Sequence, residues 1–354
     1  MKIALVTDAW HPQVNGVVRT LDTVVGLLRD QGHEILVISP DQYRSLPAPS
    51  YPEIRLAFTR ARTVGRRIED FGADAVHLAT EGPLCVQALR WCVRNGRPFT
   101  SAYHTQFPEY LAKRTGLSPR AFWPYIRWFH RKSEAIMVST DSIRNQLRAE
   151  RLDHVHHWSR GVDLDNFRPD APSPAVYGKL QGPIQLYVGR VAVEKNIEAF
   201  LRSEQPGSKV VVGDGPALAG LQSRYPDVHF AGRKSGRELA GYYAGADVLV
   251  FPSRTDTFGL VIIEALACGT PVAAYPVTGP VDILTDASGA MDEDLNVAIQ
   301  RAIGLDPADC IAHGKRFSWD ASARQFLDGL VAQDRRLDFH MSRRILAKAI
   351  FARV

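Results

Sequence analysis

The chain has 354 residues, 45% of them apolar and 23% charged, with a formal net charge of +5. That length is too great for one ordinary core, so two domains are expected in a globular protein. No apolar run reaches the ~18–20 residues that cross a bilayer, which excludes a membrane-spanning helix. The apolar run Ile3–Val6 is cut off by Asp8, which excludes a signal-peptide core. Cys85, Cys92, Cys268 and Cys310 show no ligand-like pairing and read as reduced, buried thiols of a cytoplasmic protein. The basic excess sits in residues 1–170 and in the tail 317–354, whereas 171–316 are acidic on balance.

The first element is a strand, Lys2 to Thr7, followed by the loop Asp8–Gly16. Val17, Val18, Leu21, Val24, Val25 and Leu28 then recur at helical spacing. Gly32-His33 turns into a strand over 34–39, and further strand-like runs cover 75–78, 99–103, 135–139 and 155–158. This βαβ alternation predicts a parallel, doubly wound sheet. Arg168 to Gly182, with Pro169, Pro172, Pro174 and Gly178, reads as a linker. A second alternation follows, with strands over 184–188, 209–213, 228–231, 248–252 and 271–275. Their near-continuous apolar character suits strands covered on both faces. The expected fold is α/β: two Rossmann-like parallel-sheet domains, 1–170 and 171–316, facing a cleft, with 317–354 packing back on the first. Ligands in such sheets bind beyond the carboxyl ends of the strands.

Several motifs fall at those strand ends. Asp256-Thr257-Phe258-Gly259-Leu260 stands at a helix start, Glu264 follows on that helix, and Gly269-Thr270-Pro271 ends it. Amides of Phe258, Gly259 and Leu260, the helix dipole and two carboxylates suit a ligand that is both anionic and polyhydroxylated, as a sugar nucleotide is. Taken alone, Asp256 and Glu264 also read as a helix cap and a solvated helix acid. Gly189-Arg190 and Glu194-Lys195 follow the strand before, where Arg190 and Lys195 could grip one diphosphate. Gly213-Asp214-Gly215 ends the adjacent strand and permits close approach of a ligand. Asn15-Gly16 starts the first helix and would offer bare amides. The fingerprint Gly-x-Gly-x-x-Gly is missing there, so a nicotinamide cofactor is not expected. His104 follows a strand of the first domain, at the carboxyl end that would face the cleft.

Together these residues resemble the retaining glycosyltransferases of family 4, which have the two-domain GT-B architecture. The resemblance covers nearly the whole chain and includes His104-Thr105-Gln106, Arg160-Gly161-Val162-Asp163, Gly189-Arg190, Glu194-Lys195-Asn196, Gly213-Asp214-Gly215-Pro216 and the block Ser253–Pro271. It implies that Arg190 and Lys195 hold the donor diphosphate and that Glu264 binds the ribose. It implies that Asp256 and the Phe258–Leu260 amides grip the transferred sugar, with Gly16 by the phosphates and His104 by the sugar. The family commonly has Glu where this chain has Asp256. With Thr278-Gly279-Pro280-Val281-Asp282, that departure resembles the subgroup of sulfoquinovosyl- and glycosyl-diacylglycerol synthases and α-mannosyltransferases.

No metal is expected: Asp292-Glu293-Asp294 precedes a helical run, where acidic residues suit a helix N-terminus. No cofactor and no nucleic acid are expected either. Residues 113–132 contain Lys113, Arg114, Arg120, Arg127, Arg131 and Lys132 among Phe122, Trp123, Tyr125, Trp128 and Phe129, with no acid. That mixture suits an anionic bilayer surface, or a helix burying its aromatics in the core. Trp123, Arg127, Trp128, Arg131 and Lys132 are the candidate membrane contacts. The tail from Arg335, with Met341, Ile345, Leu346, Ile350 and Phe351, either packs back or touches lipid. The expected activity is transfer of a hexosyl unit from a nucleoside diphosphate sugar, UDP-glucose or UDP-glucuronate first and GDP-mannose second, to a lipid such as diacylglycerol at the inner face of the membrane. A soluble sugar acceptor and a nucleotide-sugar sensor without activity are the alternatives.

Overall fold

A computed structural model describes residues 1–13, 15–48, 51–104 and 106–333. Two six-stranded parallel sheets carry the fold. The first is built from β1 (Lys2–Val6), β2 (Glu34–Ile38), β5 (Ala75–Leu78), β6 (Thr100–Ala102), β7 (Ile136–Val138) and β8 (Val155–His157), in the order β2-β1-β5-β6-β7-β8. Between them β3 (Ser45–Ala48) and β4 (Tyr51–Ala57) form a separate antiparallel hairpin. The second is built from β9 (Ile184–Val188), β10 (Ser208–Val212), β11 (His229–Gly232), β12 (Val248–Phe251), β13 (Val272–Ala274) and β14 (Gly289–Met291), in the order β11-β10-β9-β12-β13-β14.

Side chains alternate along each strand between two buried faces. In β1, Ala4 and Val6 pack with Leu84, Ala88 and Trp91 on one face, while Ile3 and Leu5 pack with Leu21, Val24 and Leu28 on the other. In β9, Leu186 and Val188 join one core and Tyr187 joins another, and every residue of the strand is buried. The helix Trp319–Gly329 packs against the first sheet's helices, not the second's. Ala323 and Phe326 sit in the core with Ile3 and Leu5, and Trp158 Nε1 donates to Ser322 Oγ at 3.1 Å. The chain crosses between the two domains twice, side by side: Val162 N donates to Phe317 O at 3.1 Å.

The hairpin and β14 escape a reading by pattern. Leu46-Pro47-Ala48 and Tyr51-Pro52 carry prolines that argue against a strand. Gly289-Ala290-Met291 has no β-branched residue and forms a strand only because β13 lies beside it. Asp8, just after β1, buries its carboxylate against the amides of Leu84 (2.8 Å) and Cys85 (3.2 Å) and caps the helix Pro83–Arg94 from outside. All four cysteines are buried free thiols.

His77 in β5 is fully buried between Trp158 and Phe326, with Nδ1 2.9 Å from Thr100 Oγ1. Burial lowers its pKa from 6.5 to about 3. Between those values the unfolded chain holds a proton that the folded chain refuses. Stability is therefore complete above the unfolded value and falls as the pH drops through that window, by about 1.4 kcal/mol per pH unit. His77→Gln should remove about 2 kcal/mol of the acid sensitivity between neutral pH and pH 5. Urea unfolding of both proteins at the two pH values measures it, and an unchanged difference would assign the sensitivity elsewhere.

Candidate active site

Strand order reverses between β9 and β12 in the second sheet, and between β1 and β5 in the first. Loops leaving the carboxyl ends on either side of such a reversal diverge and leave a crevice. The loop 189–196 leaves β9 and the loop 252–259 leaves β12, so this topology brings Lys195 and Asp256 together. Lys195 Nζ lies 2.5 Å from Asp256 Oδ1, with both side chains about a quarter exposed. Asn196 fixes the loop: it adopts φ 54, starts the helix Ile197–Leu201, and its Nδ2 donates to Pro252 O at 3.1 Å. Arg190 is half-buried in the same loop, its carbonyl accepting from the Tyr187 hydroxyl at 2.9 Å.

Gly213 makes room for a neighbouring loop. A Cβ there would stand 1.8 Å from the Gly189 carbonyl, so the close approach it permits is that of the neighbouring strand-end loop. The helix carrying Glu264 begins at Leu260, with Gly259 as its cap at φ 92, rather than at Phe258. The Phe258 ring is buried edge-on to Phe317, leaving the backbone amide as that residue's contribution.

Glu264 is 2% exposed. The Tyr243 hydroxyl donates to its Oε2 at 2.8 Å, and Arg19 of the first domain donates to its Oε1. Burial pushes the carboxyl up from the ordinary value, while Arg19 and Tyr243 pull it back. The Arg19 guanidinium also lies 5.6 Å from the Phe167 ring centre.

Other bonds close the same seam. Thr257 Oγ1 donates to the His104 carbonyl at 2.6 Å, and Ser142 N donates to Asp282 Oδ1 at 2.9 Å. A Cβ on Gly16 would lie 3.5 Å from Leu260 Cδ1, so the first helix abuts the helix of Glu264. Asn15 caps its own helix, its Oδ1 accepting from Val17 N and Val18 N, both at 3.0 Å. The bare amides expected at Asn15-Gly16 are to that extent already satisfied. His104 is 7% exposed and its Nδ1 lies 2.7 Å from Arg160 Nη2.

The structure corrects the membrane assignment of Trp123. That side chain is 5% exposed, stacked on Tyr103 and packed with Ile126, Ile136, Val138 and Leu147. An aromatic at that helical position fills the core and cannot reach a bilayer. Trp128 is 38% exposed and stacked on Tyr125. Arg127 pairs with Glu150 at 2.5 Å, Arg131 is exposed and Lys132 half-buried. The side chains of Lys113 and Arg114, residue Thr105 and the tail from Arg335 lie outside the described residues. Asp294 caps the helix Leu295–Ala302 by accepting from Asn296 N, and Glu293 pairs with Arg254. Among the described residues no group of three His, Cys, Asp or Glu could hold a metal ion.

Arg19 and Tyr243 were not singled out from the sequence, and Thr257 and Asp282 entered only as members of motifs. Arg19 lies one helical turn beyond Gly16, but its partner is 245 residues away, so no local pattern marks it. The Arg19–Glu264 pair predicts a coupling. Arg19→Ala should destabilise the protein by about 1–2 kcal/mol, an amount moderated by the partial exposure of Arg19, and far less in a Glu264→Gln background, where no buried charge needs a cation. A denaturant double-mutant cycle reads this, and strictly additive losses would rule the coupling out.

Residues 14–166 match the model of Glycosyltransferase Family 4, and residues 182–303 match that of Glycosyl transferases group 1. The chain is 33% identical over 309 residues to a GDP-mannose-dependent alpha-mannosyltransferase of Mycobacterium tuberculosis (strain CDC 1551 / Oshkosh), covering 80% of this chain and 82% of that protein. It is 26% identical over 350 residues to an alpha-monoglucosyldiacylglycerol synthase of Streptococcus pneumoniae (strain ATCC BAA-255 / R6), covering 87% and 79%. In fold it is similar to a sucrose-phosphate synthase from Thermosynechococcus elongatus, with a TM-score of 0.73 at 22% identity over 98% of this chain and 99% of that one. Two facing parallel-sheet domains of the GT-B type and these likenesses converge: the chain belongs to glycosyltransferase family 4 and is a hexosyltransferase.

Proposed function

We propose that the seam binds a nucleoside diphosphate hexose and passes the hexose, with retention, to a lipid acceptor. The observation that carries this reading is the convergence of Lys195, Asp256 and the Leu260 helix start at one topological switch point, opposite the first helix of the other domain. A ligand there meets cationic side chains, a helix N-terminus and carboxylates at once. In this reading Arg190 and Lys195 take the diphosphate, Asp256 and the Phe258–Leu260 backbone take the sugar, and Glu264 takes the ribose in exchange for its Arg19 contact.

The acceptor oxygen attacks the anomeric carbon on the face that the phosphate leaves. The carbon–oxygen bond to phosphate breaks, and the departing phosphate oxygen takes the acceptor's proton. Arg190 and Lys195 stabilise the charge that grows on that oxygen. GDP-mannose is favoured as donor by the mannosyltransferase relative, ahead of the UDP-hexoses that the sequence alone suggested. A diacylglycerol-type acceptor is supported by the glucosyldiacylglycerol synthase relative. Incubation with each donor and a lipid extract, read by mass spectrometry, tests both halves. Efficient transfer to a water-soluble sugar alone would remove the lipid.

Arg190→Ala and Lys195→Ala should each lower turnover roughly 100- to 1000-fold, the loss seen when one preorganised contact to developing negative charge is removed. EDTA should leave turnover largely intact. Near-full activity of Arg190→Ala, or complete loss with EDTA restored by magnesium, would overturn the diphosphate assignment.

The membrane contact is proposed for the exposed side of 128–132. Each Lys or Arg near an anionic surface contributes about 1 kcal/mol, screened by salt within a Debye length. Replacing Trp128, Arg131 and Lys132 together by Ser should weaken flotation with anionic vesicles by tenfold or more, and Trp123→Phe should not. Flotation that is insensitive to both salt and these replacements would place the contact elsewhere.

A further inference from the structure

Arg160 is 5% exposed, in the loop after β8. Its Nη1 donates to the carbonyls of Trp158 (2.9 Å) and Ser159 (3.4 Å), and its guanidinium carbon lies 4.6 Å from the Trp158 ring centre. Burial lowers its pKa to about 9, which leaves it a cation at neutral pH. Its Nη2 lies 2.7 Å from His104 Nδ1. A guanidinium has donors and no acceptor. The bond therefore exists only if Nδ1 carries a lone pair, and the single ring proton is on Nε2. That Nε2 is buried and has no hydrogen-bond partner among the described residues. It is held at the seam by the Thr257 bond to the His104 carbonyl.

We infer that Arg160 is a positioning residue that locks His104 as the neutral Nε2–H tautomer, so that His104 meets the transferred sugar only as a hydrogen-bond donor to an oxygen. The second half rests on the proposed placement of the sugar beside His104; the first half does not. The charged and titratable groups facing His104 agree. Arg160 opposes a second positive charge beside it, and His77 lies buried and uncharged on the neighbouring strand. Burial first, then the Arg160 charge, hold the His104 pKa well below the ordinary imidazole value. With its lone pair occupied by Arg160, His104 cannot take the acceptor's proton. That task is left to the donor phosphate. A sugar bearing an oxygen at the contact satisfies the waiting N–H, whereas one lacking it leaves a buried donor unpaired.

Two-bond proton–nitrogen correlation spectra of the ¹⁵N-labelled protein read the tautomer without any ligand, with His104→Gln assigning the signal. The expected pattern is neutral Nε2–H from pH 5 to 8. A neutral Nδ1–H pattern or an imidazolium at pH 7 would overturn the inference. Arg160→Lys, still a donor only, should keep the pattern. Arg160→Gln, able to accept, should populate both tautomers and lower kcat/KM by tenfold or more. GDP-mannose and UDP-glucose are then added separately. Whichever is turned over should shift the Nε2 resonance, and a donor turned over with Nε2 unmoved would overturn the sugar contact. If neither is turned over, the proposed donor class fails while the donor-free spectrum still decides the tautomer.

Discussion

A carboxylate withdrawn from water needs a cation close by, and the cation for Glu264 comes from the other domain. This pair ties the helix of Glu264 in the second domain to the first helix of the first. The helix Gly16–Asp30 starts against Leu260 and delivers Arg19 one turn later. Thr257 reaches the His104 carbonyl and Asp282 reaches Ser142 N. Each bond joins a segment that follows the carboxyl end of a strand in one sheet to its counterpart across the seam. Opening the cleft breaks them together, and it strands Glu264 without its counter-charge.

Why those loops meet follows from the sheets. β9 and β12 are neighbours although three strands apart in number, because the winding reverses between them. The chain needs no local signal to bring Lys195 to Asp256; topology does so. Glycines then let the loops crowd one another, as where the Gly189 carbonyl presses on Gly213. Asn196 bears a left-handed backbone for the same purpose.

The legible part of the sequence was the part governed by local pattern. Strands such as β9 and β12 announce themselves by near-continuous apolar residues, and their ends locate the loops where Arg190, Lys195 and Asp256 lie. What stayed hidden depends on partners far along the chain. Arg19 looks like any surface arginine of an amphipathic helix until the helix of Glu264 is beside it. Trp123 has the same local surroundings as Trp128, and only the placement of Tyr103 and Val138 decides that one is core and the other exposed. Arg160 lay within a recognised motif, but its use depends on the orientation of His104. Charge composition, which drew attention to 113–132, records neither Glu150 beside Arg127 nor the depth of a ring.

The helix Trp319–Gly329 belongs to the core of the first domain, although the whole second domain separates it from the rest of that core in sequence. During synthesis the ribosome releases the second domain entire while the first still lacks one wall. Until Phe326 arrives, His77, Trp158 and the Ile3–Leu5 face lack one packing partner. The N-terminal half of the nascent protein is thus the last to be completed, and the order of translation is the reverse of the order in which the two halves can become finished structures.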